Sequence, residues 1–459
     1  MKRIFVSIVA ITLVCFGALA KQPKYVFYFI GDGMGLNHVY GTQLFNAAAN
    51  GKSEPEELTF TQFPYRGFIT TYCATSLVTD SAAAGTALAT GSKTYSGSIG
   101  MDMNRQPLMS IARTIKEAGY GSGVVSSVGV NHATPAAFYG NVENRNFYTR
   151  IFDQLLEGRV DFAAGGDILV TNRKTETAQE QVEKARKAGW KVLLGDECKN
   201  ATGDKDKTLC IGGELGHEEL PYAIENKGVT LADLTRTAIN TLSKHHRNGF
   251  FVMIEGGAID HAAHGDDAAS TFHEVNDMDR AIDVAMEFYR QHPDETLIFV
   301  TADHETGGLG LGAGQYELHL ERLLYQNVSK GTLNNRLNAL RGTDKLSWES
   351  AKEIISEATG LWTKVEVDPR SEAKFKETFQ RTFLGTDNQK DVNMYASNEM
   401  LTKEVIDYLD LKACIFYDHT SHTGAQVPVF AIGAGAEQIA ACRDNTDNPK
   451  TVLKLMLGK

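Results

Sequence analysis

The chain has 459 residues, 42% of them hydrophobic and 22% charged, the make-up of a globular protein with one large domain plus insertions, or with two domains. Its 46 basic against 57 acidic residues leave a net charge of −11, which argues against nucleic acid as a natural partner. Any pocket for an anion must therefore be made positive locally, by metals or by one arginine.

Residues 1–20 have the pattern of a secretory signal peptide. Lys2 and Arg3 precede an apolar run over 4–16, and Ala18-Leu19-Ala20 forms an A-x-A cleavage site. That run is shorter than the roughly 20 apolar residues of a membrane span, so the expectation is an exported, periplasmic or extracellular chain starting near Lys21, with no membrane anchor. Five cysteines follow the leader: Cys73, Cys198, Cys210, Cys414 and Cys442. Cys198 and Cys210 bracket a polar loop and are the first candidates for a disulfide in an oxidising compartment; Cys414 and Cys442 are a second pair, leaving Cys73 over.

Residues 25–30 (Y-V-F-Y-F-I) form a continuous apolar, β-favouring run, and runs of the same kind recur at 123–128, 250–254, 296–301 and 427–432. Unalternated runs of this sort are buried strands. Helical patterns lie between them, as at 106–118 and 177–188. The alternation predicts an α/β fold with a large, mainly parallel central sheet and helices on both faces.

Residues 77–91 (L-V-T-D-S-A-A-A-G-T-A-L-A-T-G) are written as a helix start, with Thr79 or Asp80 as N-cap and Ser81 in the first turn. Taken alone this is a capped packing helix. Its open N–H groups and small neighbours also suit a phosphoryl anion, provided the rest of the chain supplies charge.

The chain does supply it. Asp32 follows the first strand, Glu255 the 250–254 run, and Asp303-His304 the 296–301 run. In open α/β sheets ligands bind beyond the carboxyl ends of the strands, and three strands ending in acid or imidazole are hard to explain by packing. After Glu255 comes G-G-A-I-D-H-A-A-H-G, where Asp260 and His264 share one helical face as two ligands of one metal must. The late S-H-T-G-A-Q offers His422. Mixed histidine and carboxylate ligation suits zinc, all-oxygen ligation magnesium. Residues 315–410 change to charged, helical pattern without strand-end acids and read as a mostly helical insertion capping the active edge. Residues 178–226 also read as free of chemistry and peripheral to the sheet.

With V-T-D-S-A-A-A-G-T, G-D-G-M-G, E-G-G-A-I-D-H-A-A-H, T-A-D-H-E-T-G-G and S-H-T-G-A-Q in one chain, the protein resembles the alkaline phosphatase family over essentially all of 21–459 apart from the insertion. The resemblance implies two zinc ions, a third site for magnesium, and a serine nucleophile. It makes Ser81 the nucleophile and itself a metal ligand, with Asp32, Asp303 and His304 the other ligands of the zinc beside it. Asp260, His264 and His422 would ligate the second zinc. Glu255, Thr134 and the bridging Asp32 would serve the magnesium. Arg145 in E-N-R-N-F would grip the phosphoryl oxygens, oriented by Asp80.

Two positions depart from the best-known enterobacterial pattern: His132 stands where that pattern has Asp, close to the third site, and His261 where it has Lys, near the phosphate. The third site is therefore open to zinc in place of magnesium. The expected substrates are small phosphate monoesters, cleaved through a phosphoserine, and a homodimer is compatible with the sequence. The nearest rival is a phosphodiesterase of the same metal-dependent superfamily. A sulfatase would need a C/S-x-P-x-R signature, which does not surround Ser81. A non-catalytic protein with a decayed core would have lost ligand positions, and all of them are filled.

Overall fold

The computed structural model describes residues 22–199, 201, 207–314 and 316–458. The expected signal peptide, and the exported start at Lys21, lie outside these residues. Among the described residues no helix is long and apolar enough to cross a membrane.

The molecule is organised around a nine-stranded sheet. Its strands in chain order are β1 (Tyr25–Gly31), β2 (Tyr65–Ile69), β3 (Gly121–Ser126), β4 (Phe162–Gly165), β5 (Lys191–Leu194), β6 (Thr208–Ile211), β7 (Phe250–Gly256), β8 (Thr296–Ala302) and β15 (Val427–Gly433). Three two-stranded ladders lie outside it. They pair β9 (Glu305–Thr306) with β14 (His422–Thr423), β10 (Gly310–Leu311) with β13 (Ile415–Phe416), and β11 (Lys390–Val392) with β12 (Ser397–Glu399). In space the large sheet runs β2-β15-β8-β1-β7-β3-β4-β6-β5. Pairing is parallel from β8 to β5, and β15 runs antiparallel between β8 and β2. The mainly parallel sheet expected from the apolar runs is what forms.

Successive side chains of β1 go to opposite faces. Phe27 packs on Phe250 of β7 and on Phe288, from the helix Ala268–Gln291. Tyr28 stacks on Phe299 at 4.2 Å between ring centroids and meets Phe138 on the other side. Both faces are therefore covered, as buried parallel strands require. Ring pairs like Tyr28–Phe299 add about 1 kcal/mol beyond the area they bury.

Local signals set most boundaries. The helix Ala178–Lys187 begins with a capping box, Thr177 with Glu180. The helix expected over 106–118 is confined to Ile111–Glu117 with Ser110 as its cap. Pro107 is drawn instead into a bridge with Met101, and it disfavours helix at Gln106.

Residues beyond Leu309 build a second apolar core. Leu323, Leu333, Leu337, Trp348, Ile355, Phe375, Phe379, Leu401, Val405 and Ile415 cluster apart from the sheet core, and Phe45, Ala268, Ala269 and Phe272 of the main body join them. Apart from the short β10–β13 ladder this part is helical, except for the β11–β12 hairpin, which the sequence pattern did not announce.

Among the described residues all five cysteines are free thiols, so neither expected disulfide is present. Cys198 and Cys210 are buried side by side as hydrogen-bonded thiols, and burial raises the Cys210 thiol well above its ordinary range. Cys442 turns its thiol to the Gln438 carbonyl and to Thr451 inside the sheet core. Cys414 sits at the end of the helix Met400–Lys412 with φ 60°.

Candidate metal and nucleophile site

The parallel register brings the strand-end acids level. Ile30 of β1 lies opposite Glu255 on one side and Thr301 on the other, so Asp32, Glu255, Asp303 and His304 leave the sheet at one edge. Gly33 has φ 70°, and a Cβ there would stand 2.7 Å from the Thr306 hydroxyl and 2.8 Å from the Asp260 carboxylate. The second glycine of G-D-G-M-G is thus required twice, by its backbone and by the close approach of Asp260.

Ser81 is the first residue of the helix Ser81–Thr90. Its cap is Asp80, whose carboxylate accepts from the Ala82 and Ala83 amides. The same carboxylate accepts from the Gly97 amide and from Arg145 Nη1 at 3.4 Å. Arg145 Nη2 meets His132 Nε2 at 3.1 Å. Ser81 is buried, and its Oγ lies 3.3 Å from His304 Nε2.

Three sets of groups converge here with their ligating atoms within 4.8 Å: Asp32–Asp303–His304, Asp260–His304–His422 and Asp32–His132–Glu255. Thr134 donates to Asp32 at 3.4 Å. His264 brings its Nε2 to 3.0 Å from His422 Nε2 and 3.4 Å from Asp260. All the sequence candidates for metal ligation therefore gather at this edge, and His132 joins the third set itself instead of standing behind it.

The hydrogen bonds decide what these groups can do. His264 Nδ1 donates to the Thr420 carbonyl at 2.6 Å, and His422 Nδ1 donates to the Thr79 carbonyl at 2.8 Å. The Thr306 hydroxyl donates to Asp260, so His304 Nδ1 must donate to Thr306. With Nδ1 donating, the neutral tautomer of each ring turns a bare Nε2 lone pair toward the others. Two such lone pairs 3.0 Å apart repel unless a cation lies between them.

The carboxylates agree. Asp32 and Asp303 are pushed well above the usual carboxylate range, by burial first and then by neighbouring acids. Glu255 is raised to about 7, burial again leading, although Ser126 donates to it. Burial also acts on Asp260, but the surrounding His264, His422 and His304 outweigh it and hold that carboxyl low. Buried oxygens on Asp32, Asp260, Asp303 and Glu255 have no hydrogen-bond partner. Acids this close and this dry keep their charge only beside cations. The donor set, oxygens with imidazole nitrogens, fits zinc, and the Thr134–Glu255–Asp32 end fits magnesium.

Beyond the ligands a cleft of about 630 Å³ is lined by Asp80, His132, Arg145, His261 and Tyr395, among others. His261 Nδ1 is hydrogen-bonded to Glu219, and its Nε2 is buried without a partner. Glu219 corrects the reading of 178–226 as free of chemistry. It bridges to Val128 at the sheet edge and reaches the site from there, a path that only tertiary pairing reveals. Thr306 and Ser126 were also missed, since nothing local separates a hydroxyl that orients an acid from one that caps a turn.

The alkaline phosphatase family model matches residues 23–457. Alkaline phosphatase 4 of Bacillus subtilis (strain 168) is 29% identical over 448 residues, 95% of this chain and 89% of that protein. Alkaline phosphatase 3 of the same organism is 30% identical over 453 residues, again 95% and 89%. The crystal structure of a cold-active alkaline phosphatase from a psychrophilic Shewanella sp. matches with a TM-score of 0.78 at 28% identity, covering 94% of this chain and 99% of that one. The Thermus thermophilus alkaline phosphatase shares the fold at a TM-score of 0.76, with 23% identity and coverage of 98% and 96%.

Proposed function

The chain belongs to the alkaline phosphatase family and is a phosphatase of that metal-dependent group, and from that we propose an exported phosphomonoesterase that works through a phosphoserine on Ser81. The observation that carries this reading is the position of Ser81. Its hydroxyl stands at a helix N-terminus, against His304 and within the converging ligand sets, with the Arg145 guanidinium held nearby by Asp80.

In this reading Asp32, Asp303 and His304 hold one zinc, and Asp260, His264 and His422 hold a second. Thr134, Glu255 and Asp32 hold magnesium, or zinc, with His132 beside it. When bound, these ions supply Lewis-acid charge at the serine and leaving-group oxygens.

The chain's own groups do the rest. Asp80 fixes Arg145, whose planar fork takes two phosphoryl oxygens. The first-turn amides of the Ser81 helix present N–H groups and positive dipole to the phosphoryl group. Ser81 Oγ attacks phosphorus as the ester P–O bond breaks and the alcohol leaves; water then cleaves the phosphoserine to inorganic phosphate. His261, braced by Glu219, lines the same cleft and donates its Nε2–H to the phosphoryl group. Residues 315–410 form a cap over this edge, and the substrates are small phosphate monoesters.

Ser81→Ala tests the reading. It is expected to lower p-nitrophenyl phosphate hydrolysis by at least about a thousandfold, to abolish the acid-stable phosphoenzyme, and to leave metal content intact. Phosphate covalently trapped on the variant would sink the proposal. A wild type faster on an aryl diester than on the monoester would move the assignment to a phosphodiesterase.

A further inference from the structure

The β11–β12 hairpin rises from the inserted region with the register Lys390↔Glu399, Asp391↔Asn398 and Val392↔Ser397. Its turn is Asn393-Met394-Tyr395-Ala396, closed by the Asn393 amide on the Ala396 carbonyl at 3.0 Å. The Asn393 side chain stiffens it, accepting from the Tyr395 and Ala396 amides at 2.9 and 2.7 Å.

The turn is fastened to the metal-ligand helix Ala258–His264. Asn393 Nδ2 donates to the His264 carbonyl at 2.9 Å. Lys330, paired with Asp391 at 2.9 Å, donates to the Gly265 carbonyl at 2.7 Å. At the stem, Glu399 is buried between Lys390 and Arg341. The tip of the insertion is therefore held in one place by charged and polar bonds at both ends.

What it delivers is Tyr395. The ring lies on His261 at 3.7 Å between centroids and stands edge-on to His264 at 5.2 Å, with His132 at 6.1 Å. It lines the same cleft as Arg145, His132, His261 and Asp80. Its hydroxyl is buried with no close hydrogen-bond partner, and Asp260 is the acid that bears on it most. Phenylalanine would make the same ring contacts without burying that donor, so ring packing alone does not account for the oxygen. Arg145 and Tyr395 are thus both presented to the one cleft.

We infer that Tyr395 is a substrate-binding residue, its hydroxyl donating a hydrogen bond to an oxygen of the phosphoryl group that Arg145 grips. The inference rests on the phosphomonoesterase reading of the site. It assigns to the insertion a direct role in holding the phosphoryl group. A phenol adds a donor at the phosphoryl dianion without adding a full charge, so Arg145 remains the electrostatic anchor. The ring also holds His261 flat, with Glu219 fixing its other edge.

The test is Tyr395→Phe in the zinc- and magnesium-loaded full chain, with Tyr395→Ala as the second variant. Inorganic phosphate binding is measured by calorimetry, beside kcat and KM for p-nitrophenyl phosphate, metal content and Tm. Tyr395→Phe is expected to weaken phosphate binding about tenfold, the loss of one hydrogen bond to a charged acceptor, with metal content and Tm unchanged. Tyr395→Ala, which also frees His261, is expected to lose more. Unchanged phosphate affinity in Tyr395→Phe would overturn the inference. So would a loss confined to metal content, because Tyr395 would then act through Asp260. A wild type that binds phosphate yet hydrolyses no monoester would refute the phosphatase reading and leave the binding comparison to decide on Tyr395. A wild type that does not bind phosphate overturns both.

Discussion

At the scale of single residues, Asp80 does more than its place beside Ser81 suggests. One carboxylate caps the Ser81 helix, receives the Gly97 amide and steers Arg145. Asp80→Ala removes the cap and the steering together. It is expected to cost about 1–2 kcal/mol of stability, the usual loss for an N-cap. It should also raise KM for an aryl monoester about tenfold, because an unsteered guanidinium must be ordered by substrate binding. Denaturant melts and steady-state kinetics on one preparation check both, and an unchanged KM would show that Arg145 holds its pose unaided. Residue identity was the part of the site most legible in the sequence. Asp32, Glu255, Asp260, His264, Asp303 and His304 could be picked out because each follows an apolar strand or shares a helical face. Glu219 and Tyr395 could not, because what brings them to the cleft is a bridge to Val128 in one case and a docked hairpin in the other.

At the scale of elements, the long helix Ala268–Gln291 is tied to the short turn Phe60–Gln62 by one half-buried acid. Asp279 accepts from the Thr59 and Phe60 amides, and burial, only partly offset by those bonds, raises its carboxyl to about 6. A carboxyl raised in the folded state binds more protons folded than unfolded between about pH 4 and 6, so this group's contribution to stability falls as pH rises through that window and is flat above it. Relative to the wild type, Asp279→Asn should therefore gain about 2 kcal/mol between pH 4 and pH 7, read as the change in the stability difference across that range. A difference that stays constant with pH would show that Asp279 keeps its charge. The strands were legible because continuous apolar runs have few other uses. The β11–β12 hairpin was not: Lys390, Asp391, Ser397 and Glu399 are polar, and their pairing follows from Lys330 and Arg341, which stand far away in sequence.

At the scale of the whole molecule, stability and metal loading are one quantity. The edge that carries Ser81 concentrates four carboxylates and three bare imidazole nitrogens in the interior, and folding without cations must carry their repulsion. A cation present at about a thousand times its dissociation constant adds about 4 kcal/mol, so chelation is expected to lower Tm by roughly 5–10 °C. Zinc should restore most of the loss in calorimetry. A Tm indifferent to chelator would mean that these groups are not held by ions. The two apolar cores add a different consequence. The sheet core bears the nucleophile and ligand strands, whereas the second core bears the hairpin that closes the cleft. A segment with its own core opens at its own free energy, as a separate cooperative unit. On warming, the second unit can exchange its amides and lift Tyr395 away while β1, β7 and β8 stay closed. Were that unit to open first, heat would take away the molecule's hold on substrate before the chemistry beneath.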